Sequence, residues 1–208
     1  MARGGHLSRK AKLSQILNRT LSVLIEAVTF VIVRHYSNGD FHMGRYDGMK
    51  GLVLGVANDH SIAWAIAKEL LAEGASIGFS HLPDRPDDQR QRNRRRVALL
   101  TDNEPNAKFL VPMDVSSDEQ IAAVMKKTQE EFGTIDFLIH SIAYAPMDDL
   151  KGETTNCSRD GFRIAMETSA YSLLAVGRLS REILAKDASI LTLTYFGGEK
   201  VVPGYNIM

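Results

Sequence analysis

Five short stretches of this 208-residue chain carry side chains suited to holding a dinucleotide. They are Gly55 to Ile62, Ser80 to Leu82, Asp114-Val115, Ser141-Ile142-Ala143 and Tyr195, and each follows a strand-like apolar run. A short strand that ends in a glycine turn and opens straight into a helix aims free backbone N–H groups at one point, where a pyrophosphate can sit. In that turn Gly55 permits the reversal, Ser61 opens the helix at the pyrophosphate, and Ile62 with Ala63 keeps the approach close. Asp114 offers an acceptor to an adenine amino group with Val115 against the ring, while Ser141, Ile142 and Ala143 flank the ribose and nicotinamide end. Ligands of doubly wound sheets bind beyond the carboxyl ends of the strands, so residues placed in this order share one crevice. Taken singly, each is ordinary strand-end sequence.

The elements that must position these residues alternate between strand and helix. Gly51 to Val56 reads as a strand, and Ser61 to Glu73 as a helix with Ile62, Ile66 and Leu70 on one face, stopped by Gly74. Ala75 to Ser80 is a second strand, and the charged stretch from Asp84 to Leu100 is a surface helix broken at Asn103-Glu104-Pro105-Asn106. Lys108 to Pro112 is a third strand. Ser116 followed by Glu119 predicts a capping box for a helix carrying Ile121, Val124, Met125 and Phe132, which Gly133 ends. Ile135 to His140 is a fourth strand, helical sequence runs from Arg159 to Lys186, and Ser189 to Thr194 is a fifth strand. The alternation predicts an α/β fold, a Rossmann-like doubly wound parallel sheet with helices on both faces.

Bulk properties exclude several function classes. Basic and acidic residues balance at 25 each, so the net charge makes no case for nucleic acid or an anionic membrane surface. The single cysteine, Cys157, excludes an internal disulfide and fits a reducing compartment, the cytoplasm. The histidines lack the paired spacings of zinc sites, so no metal is expected. Residues 1–48 differ in character: basic positions precede an apolar stretch at 21–33 that Glu26 interrupts and that falls short of the roughly 20 residues a membrane span requires. The expectation is an N-terminal extension at 1–48 outside the fold, no membrane span, and a partial Rossmann-fold domain at 49–208.

The turn lacks the G-x-G-x-x-G fingerprint of common dinucleotide sites. Instead, Gly55-x5-Ser61-Ile62-Ala63, Met113-Asp114-Val115, Ile139-His140-Ser141-Ile142-Ala143, Ser169-Ala170-Tyr171-Ser172 and Leu193-Thr194-Tyr195-Phe196-Gly197-Gly198 together resemble the NADH-type enoyl-acyl-carrier-protein reductases, divergent short-chain dehydrogenase/reductases of fatty-acid synthesis. The resemblance covers about residues 49–208. It implies that Tyr195 and Tyr205 are the two active-site tyrosines, with Tyr205 donating a hydrogen bond to the thioester carbonyl and Tyr195 shaping the acyl pocket. It further implies hydride delivery from NADH to the β-carbon of a trans-2-enoyl thioester carried on acyl carrier protein, and a homotetramer. A phenol, with a reference pKa near ~10, remains a donor at neutral pH.

The resemblance also implies a lysine seven positions beyond the second tyrosine, and further strands and helices after that. The sequence runs to Met208, so the expectation is a truncated reductase, missing its last strands and helices and poorly active as written. Leu82-Pro83 stands where an acid would mark NAD and an arginine NADP, and the arginines of 85–96 read as a solvated helix face; the cofactor expected is NADH ahead of NADPH. Two alternatives stand beside this reading. One is a carbonyl-reducing short-chain dehydrogenase using Thr192 or Thr194 beside Tyr205. The other is a non-catalytic nucleotide-binding fragment.

Overall fold

The structure is a computed structural model that describes residues 44–208. The apolar stretch at 21–33 and the basic positions before it lie outside the described residues. Strands β1 (Lys50–Leu54), β2 (Ser76–His81), β3 (Ala107–Pro112), β4 (Ile135–His140) and β5 (Leu184–Thr192) form one sheet in the order β3-β2-β1-β4-β5, every pairing parallel. Helices α1 (Ile62–Ala72), α2 (Arg92–Thr101), α3 (Asp118–Phe132), α4 (Arg159–Met166) and α5 (Ser172–Ser180) fall between the strands. This is the expected Rossmann-like architecture.

Burial explains why these segments pair as they do. Leu52, Val53 and Leu54 are wholly buried, as are Phe137 and Leu138 of the adjacent strand, which is the near-continuous apolar run that a parallel strand covered on both faces requires. On one face Leu52, Leu54 and Leu138 pack with Ile121, Val124 and Phe132 of α3 and Val176 of α5. On the other, Val53 lies in register with Phe79 of β2, whose ring sits 6.3 Å from that of Trp64 on α1. Among the described residues no helix is long and apolar enough to cross a membrane.

Element boundaries depart from the sequence expectation in four places, each for a local reason. Residues 44–48, grouped with the extension by composition, pack on the fold: Tyr46 is buried, its N–H donates to the Glu73 carbonyl at 2.9 Å, and Arg45 pairs with the Glu73 carboxylate at 3.2 Å. Helix α2 begins at Arg92, not Asp84. The Asp84 carboxylate accepts from the Asn93 and Arg94 N–H groups at 2.6 and 3.2 Å, capping the helix from outside, and Gln91 before it takes a left-handed φ of 47°. The long helix expected to Lys186 is interrupted by a π-helical turn at Glu167–Tyr171 and stops at Ser180. Strand β5 consequently starts early, at Leu184, with a break in register between its pairings to Ile135 and Phe137.

The fourth departure is the N-cap of α3, which is Ser117 and not Ser116. The Ser117 hydroxyl accepts from the Gln120 N–H at 3.3 Å and donates to the Glu119 carboxylate at 2.8 Å, a bond that holds the Glu119 carboxyl below the usual carboxylate range. Ser116 instead donates through both its N–H and its hydroxyl to Asp114. Replacing the capping hydroxyl by Ser117→Ala is expected to lower unfolding stability by about 1 kcal/mol, read as a reduced urea midpoint at unchanged slope.

Candidate functional site

The sheet order reverses between β1 and β4, so the loops leaving these neighbouring strands part and open a crevice at their carboxyl ends. Gly55 forms the near wall. Its φ of +98° lies in the left-handed region, and a Cβ there would run into the Ser141 carbonyl. The Ser141 N–H donates to the Leu54 carbonyl at 3.1 Å, so the two strand ends are clamped where the cleft begins. Ser61 occupies the N-cap of α1, and its hydroxyl accepts from the Ala57 and Asn58 N–H groups, each at 3.0 Å. That side chain folds the turn. The N–H groups of Ile62 and Ala63, first in the helix, have no intrahelical acceptor, which is the arrangement a pyrophosphate uses.

A cleft of about 670 Å³ follows, within the range of small-molecule sites. Seven of the nine residues expected to bind cofactor line it: Gly55, Leu82, Asp114, Val115, Ser141, Ile142 and Ala143. Ser61 and Ile62 do not; Ser61 acts through the turn, and the Ile62 side chain is 41% exposed. Asp114 Oδ1 accepts from Ser116 while its Oδ2 takes no hydrogen bond from any described residue, leaving an acceptor for an amino group. Helices α2 and α4 and the π-helical turn close the far side with Asn93, Arg96, Arg163, Glu167 and Thr168.

Tyr195 and Tyr205 are brought together beyond β5, with ring centroids 5.8 Å apart, but neither lines this cleft. The Tyr195 hydroxyl donates to the Met208 carbonyl at 2.8 Å and to the Tyr205 carbonyl at 3.4 Å. The tyrosine segment reaches the cleft's edge indirectly. The Ser169 hydroxyl accepts from the Tyr144 N–H at 3.0 Å and lies 3.9 Å from the Met208 sulfur, and Tyr144 lines the cleft. Cys157 lies apart, and partial burial together with the nearby Asp149 carboxylate pushes its thiol up, away from the nucleophilic thiolate.

A protein-family model described as enoyl-(acyl carrier protein) reductase matches residues 55–208. The chain belongs to the enoyl-(acyl carrier protein) reductase family. It is 42% identical over 161 residues to the NADH enoyl-acyl-carrier-protein reductase FabI of Bacillus cereus, covering 77% of this chain and 60% of the relative. Its identity to FabI of Aquifex aeolicus is 41% over 170 residues, covering 80% of this chain and 59% of the relative. Among solved structures, the reductase of Anaplasma phagocytophilum in complex with NAD superposes with a TM-score of 0.70 at 37% identity, covering 77% of this chain and 59% of that one. The Bacillus cereus reductase with NADP+ and an indole naphthyridinone gives 0.71 at 43%, covering 78% and 61%. The chain thus spans about 60% of the length of the curated relatives it matches.

One group in this family member that the sequence alone leaves without a role is His140, the last residue of β4 and only 1% exposed. Its Nε2 lies 2.9 Å from the Ser172 hydroxyl, which itself donates to the Thr168 carbonyl at 2.7 Å. Since that hydroxyl proton is committed, Nε2 must carry the proton and donate, and Nδ1 accepts from the Thr192 hydroxyl at 3.4 Å. The neutral ring therefore ties β4, β5 and α5 together directly beneath Ser141. The sequence signal was faint: one histidine ending an apolar strand, with its partners 32 and 52 residues away.

Burial holds the His140 pKa below the ordinary histidine value. In the unfolded chain the ring charges near pH ~6.5, so the unfolded state binds more protons below that pH and stability falls as the solution is acidified. The slope contributed is at most ~1.4 kcal/mol per pH unit, over the window from about 6.5 down to the depressed native pKa. In His140→Gln this component of the acid-side loss is expected to disappear, as measured by thermal midpoints between pH 7.5 and 5 for both chains.

Proposed function

We propose that this chain carries the cofactor-binding half of an enoyl-acyl-carrier-protein reductase that uses NADH. The observation that supports it most directly is the single cleft gathering Gly55, Asp114, Val115 and the Ser141-Ile142-Ala143 loop at the strand-order reversal, in a chain that belongs to this family. Bound there, NADH supplies the hydride that reduces the β-carbon of a trans-2-enoyl thioester. The protein's own residues do the rest. The α1 N-terminus faces the pyrophosphate, Asp114 Oδ2 accepts from the adenine amino group, and Ser141 to Ala143 position the nicotinamide end. Tyr205 donates a phenolic hydrogen bond to the thioester oxygen as enolate charge develops, and Tyr195 borders the acyl chain.

The carbonyl-reducing alternative loses support at Thr192. Of the two hydroxyls that would stand beside Tyr205 in that reading, Thr192 and Thr194, the first is directed at His140. Exposed apolar side chains on α4, the π-helical turn and α5, namely Phe162, Met166, Tyr171 and Leu174, support the self-association that the family resemblance implies. An acyl-carrier-protein-linked enoyl thioester is the proposed substrate.

The test is an assay of NADH oxidation with crotonyl thioester and with acetoacetyl thioester. Turnover is expected with the enoyl substrate only, and Tyr205→Phe should lower kcat by about 10²-fold. Oxidation with the keto substrate alone would sink the proposal.

A further inference from the structure

We propose that Asn206 is a positioning residue for Tyr205, fixing where the phenol stands relative to the cleft wall. The inference rests on the reductase reading above and extends it to the side chain through which the proposed hydrogen-bond donor is aimed. Among the described residues, the hydrogen bonds of Tyr205 fall on its main chain: its N–H donates to the Val202 carbonyl at 3.1 Å, and its carbonyl accepts from the Tyr195 hydroxyl and the Met208 N–H, each at 3.4 Å. The phenol therefore stands wherever its segment is docked.

Docking converges on one side chain. The bonds just named stay within residues 195–208. Apart from the 3.9 Å approach of the Ser169 hydroxyl to the Met208 sulfur, the hydrogen bonds that join this segment to the rest of the described chain all pass through Asn206. Its Nδ2 donates to the Lys151 and Gly152 carbonyls at 3.3 and 3.4 Å, and its main-chain carbonyl accepts from the Thr154 hydroxyl at 3.5 Å. Only the amide nitrogen can serve two carbonyls, so the amide cannot be turned round, and its Oδ1 is buried without a hydrogen bond. An acceptor left unpaired in this way is unfavourable, and it persists here because the donor side is required.

The loop that receives Asn206 is tied to the cleft. Lys151 to Asn156 are all exposed, so packing holds little of this stretch. Its anchor is Asp149, whose carboxylate accepts from the Ser158 N–H at 2.6 Å and fills the space that a Cβ on Gly161 would take. Ser158 caps α4, its hydroxyl accepting from the Gly161 N–H at 2.9 Å, and α4 places Arg163 and Ile164 in the cleft lining. A line of contacts thus runs from the cleft wall through Asp149 and the loop to Asn206 and the adjoining Tyr205. A displacement of about 1 Å at a reacting group can cost about 10²-fold in rate, so a single docking amide has a kinetic effect.

Steady-state kinetics with NADH and crotonyl thioester, combined with hydrogen exchange, test this. Asn206→Asp, which keeps the shape and loses the donor, and Asn206→Ala, which adds no charge, should each lower kcat about tenfold while the KM for NADH stays within about twofold. Thr154→Val should give the same pattern at smaller size. In a Tyr205→Phe background the Asn206 substitutions should cost less than about twofold more, because a positioning residue then has no phenol to aim. Exchange should quicken together in peptides covering 150–156 and 196–208 and stay unchanged in β1 and β4, which also shows that the core remains folded. Losses that add in full to that of Tyr205→Phe, an equal weakening of NADH, or exchange that quickens in neither peptide would overturn the inference while the reductase reading stands. A parent chain that does not turn over crotonyl thioester removes both.

Discussion

The parallel pairing of β1 with β4 is the constraint on which the rest of this fold depends. These strands are distant in sequence, yet Gly51 to Leu54 lie in register with Phe137 to His140 and place fully buried residues at the middle of the sheet. Once they pair, the order of the strands must reverse at this point, and the loops that leave them diverge. Only glycine at position 55 lets the first loop turn with a positive φ while its backbone presses against the Ser141 carbonyl. Packing at the centre of the sheet and the opening of the cleft are two results of one strand pairing.

A polar consequence follows at the same strand end. His140 completes β4 in a place where water does not reach, and a charged imidazolium there would lack a compensating carboxylate. The structure meets this by keeping the ring neutral and using both nitrogens, one donating to Ser172 and one accepting from Thr192. Ser172 follows the π-helical turn, where Ser169 bonds both the N–H and the carbonyl of Tyr144. The loop after β4 is consequently held from below by a buried ring and from the side by a helical irregularity. An uninterrupted α-helix from Arg159 would rotate Ser169 and Ser172 away from these partners, because the extra residue in the π turn shifts the phase of all that follows.

Much of this was legible in the chain, and the parts that were not share a cause. The strand at Ile135 to His140 and the helix after Gly55 announce themselves by continuous apolar runs and 3.6-residue spacing, both local signals. The cap at Ser117 was displaced by one residue because Ser116 and Ser117 are adjacent and chemically alike; only the commitment of Ser116 to Asp114 separates them. The start of α2 was hidden since Asp84 caps it across a nine-residue loop, where capping rules look to the preceding residue. His140 went unassigned for a similar reason. Its meaning depends on which distant side chains are already spent, and that is a property of the folded arrangement.

The same distinction separates the two halves of the proposed chemistry. The cleft residues are presented by strands and helices whose side chains are largely buried, so their positions follow from core packing. The tyrosines sit instead on the segment after β5, where Tyr195 and Tyr205 are 40% and 51% exposed and the bonds to neighbouring elements come from few side chains, such as Asn206 to the Lys151 and Gly152 carbonyls. A phenol that polarises a thioester must hold its oxygen within a few tenths of an ångström of the reacting position, and such precision comes from packing more than from isolated surface hydrogen bonds. In the fold described here, the geometry of the proposed nucleotide cleft is set by the sheet's centre, whereas the placement of Tyr205 depends on whatever packs against the segment that carries it. The two properties can therefore be lost separately.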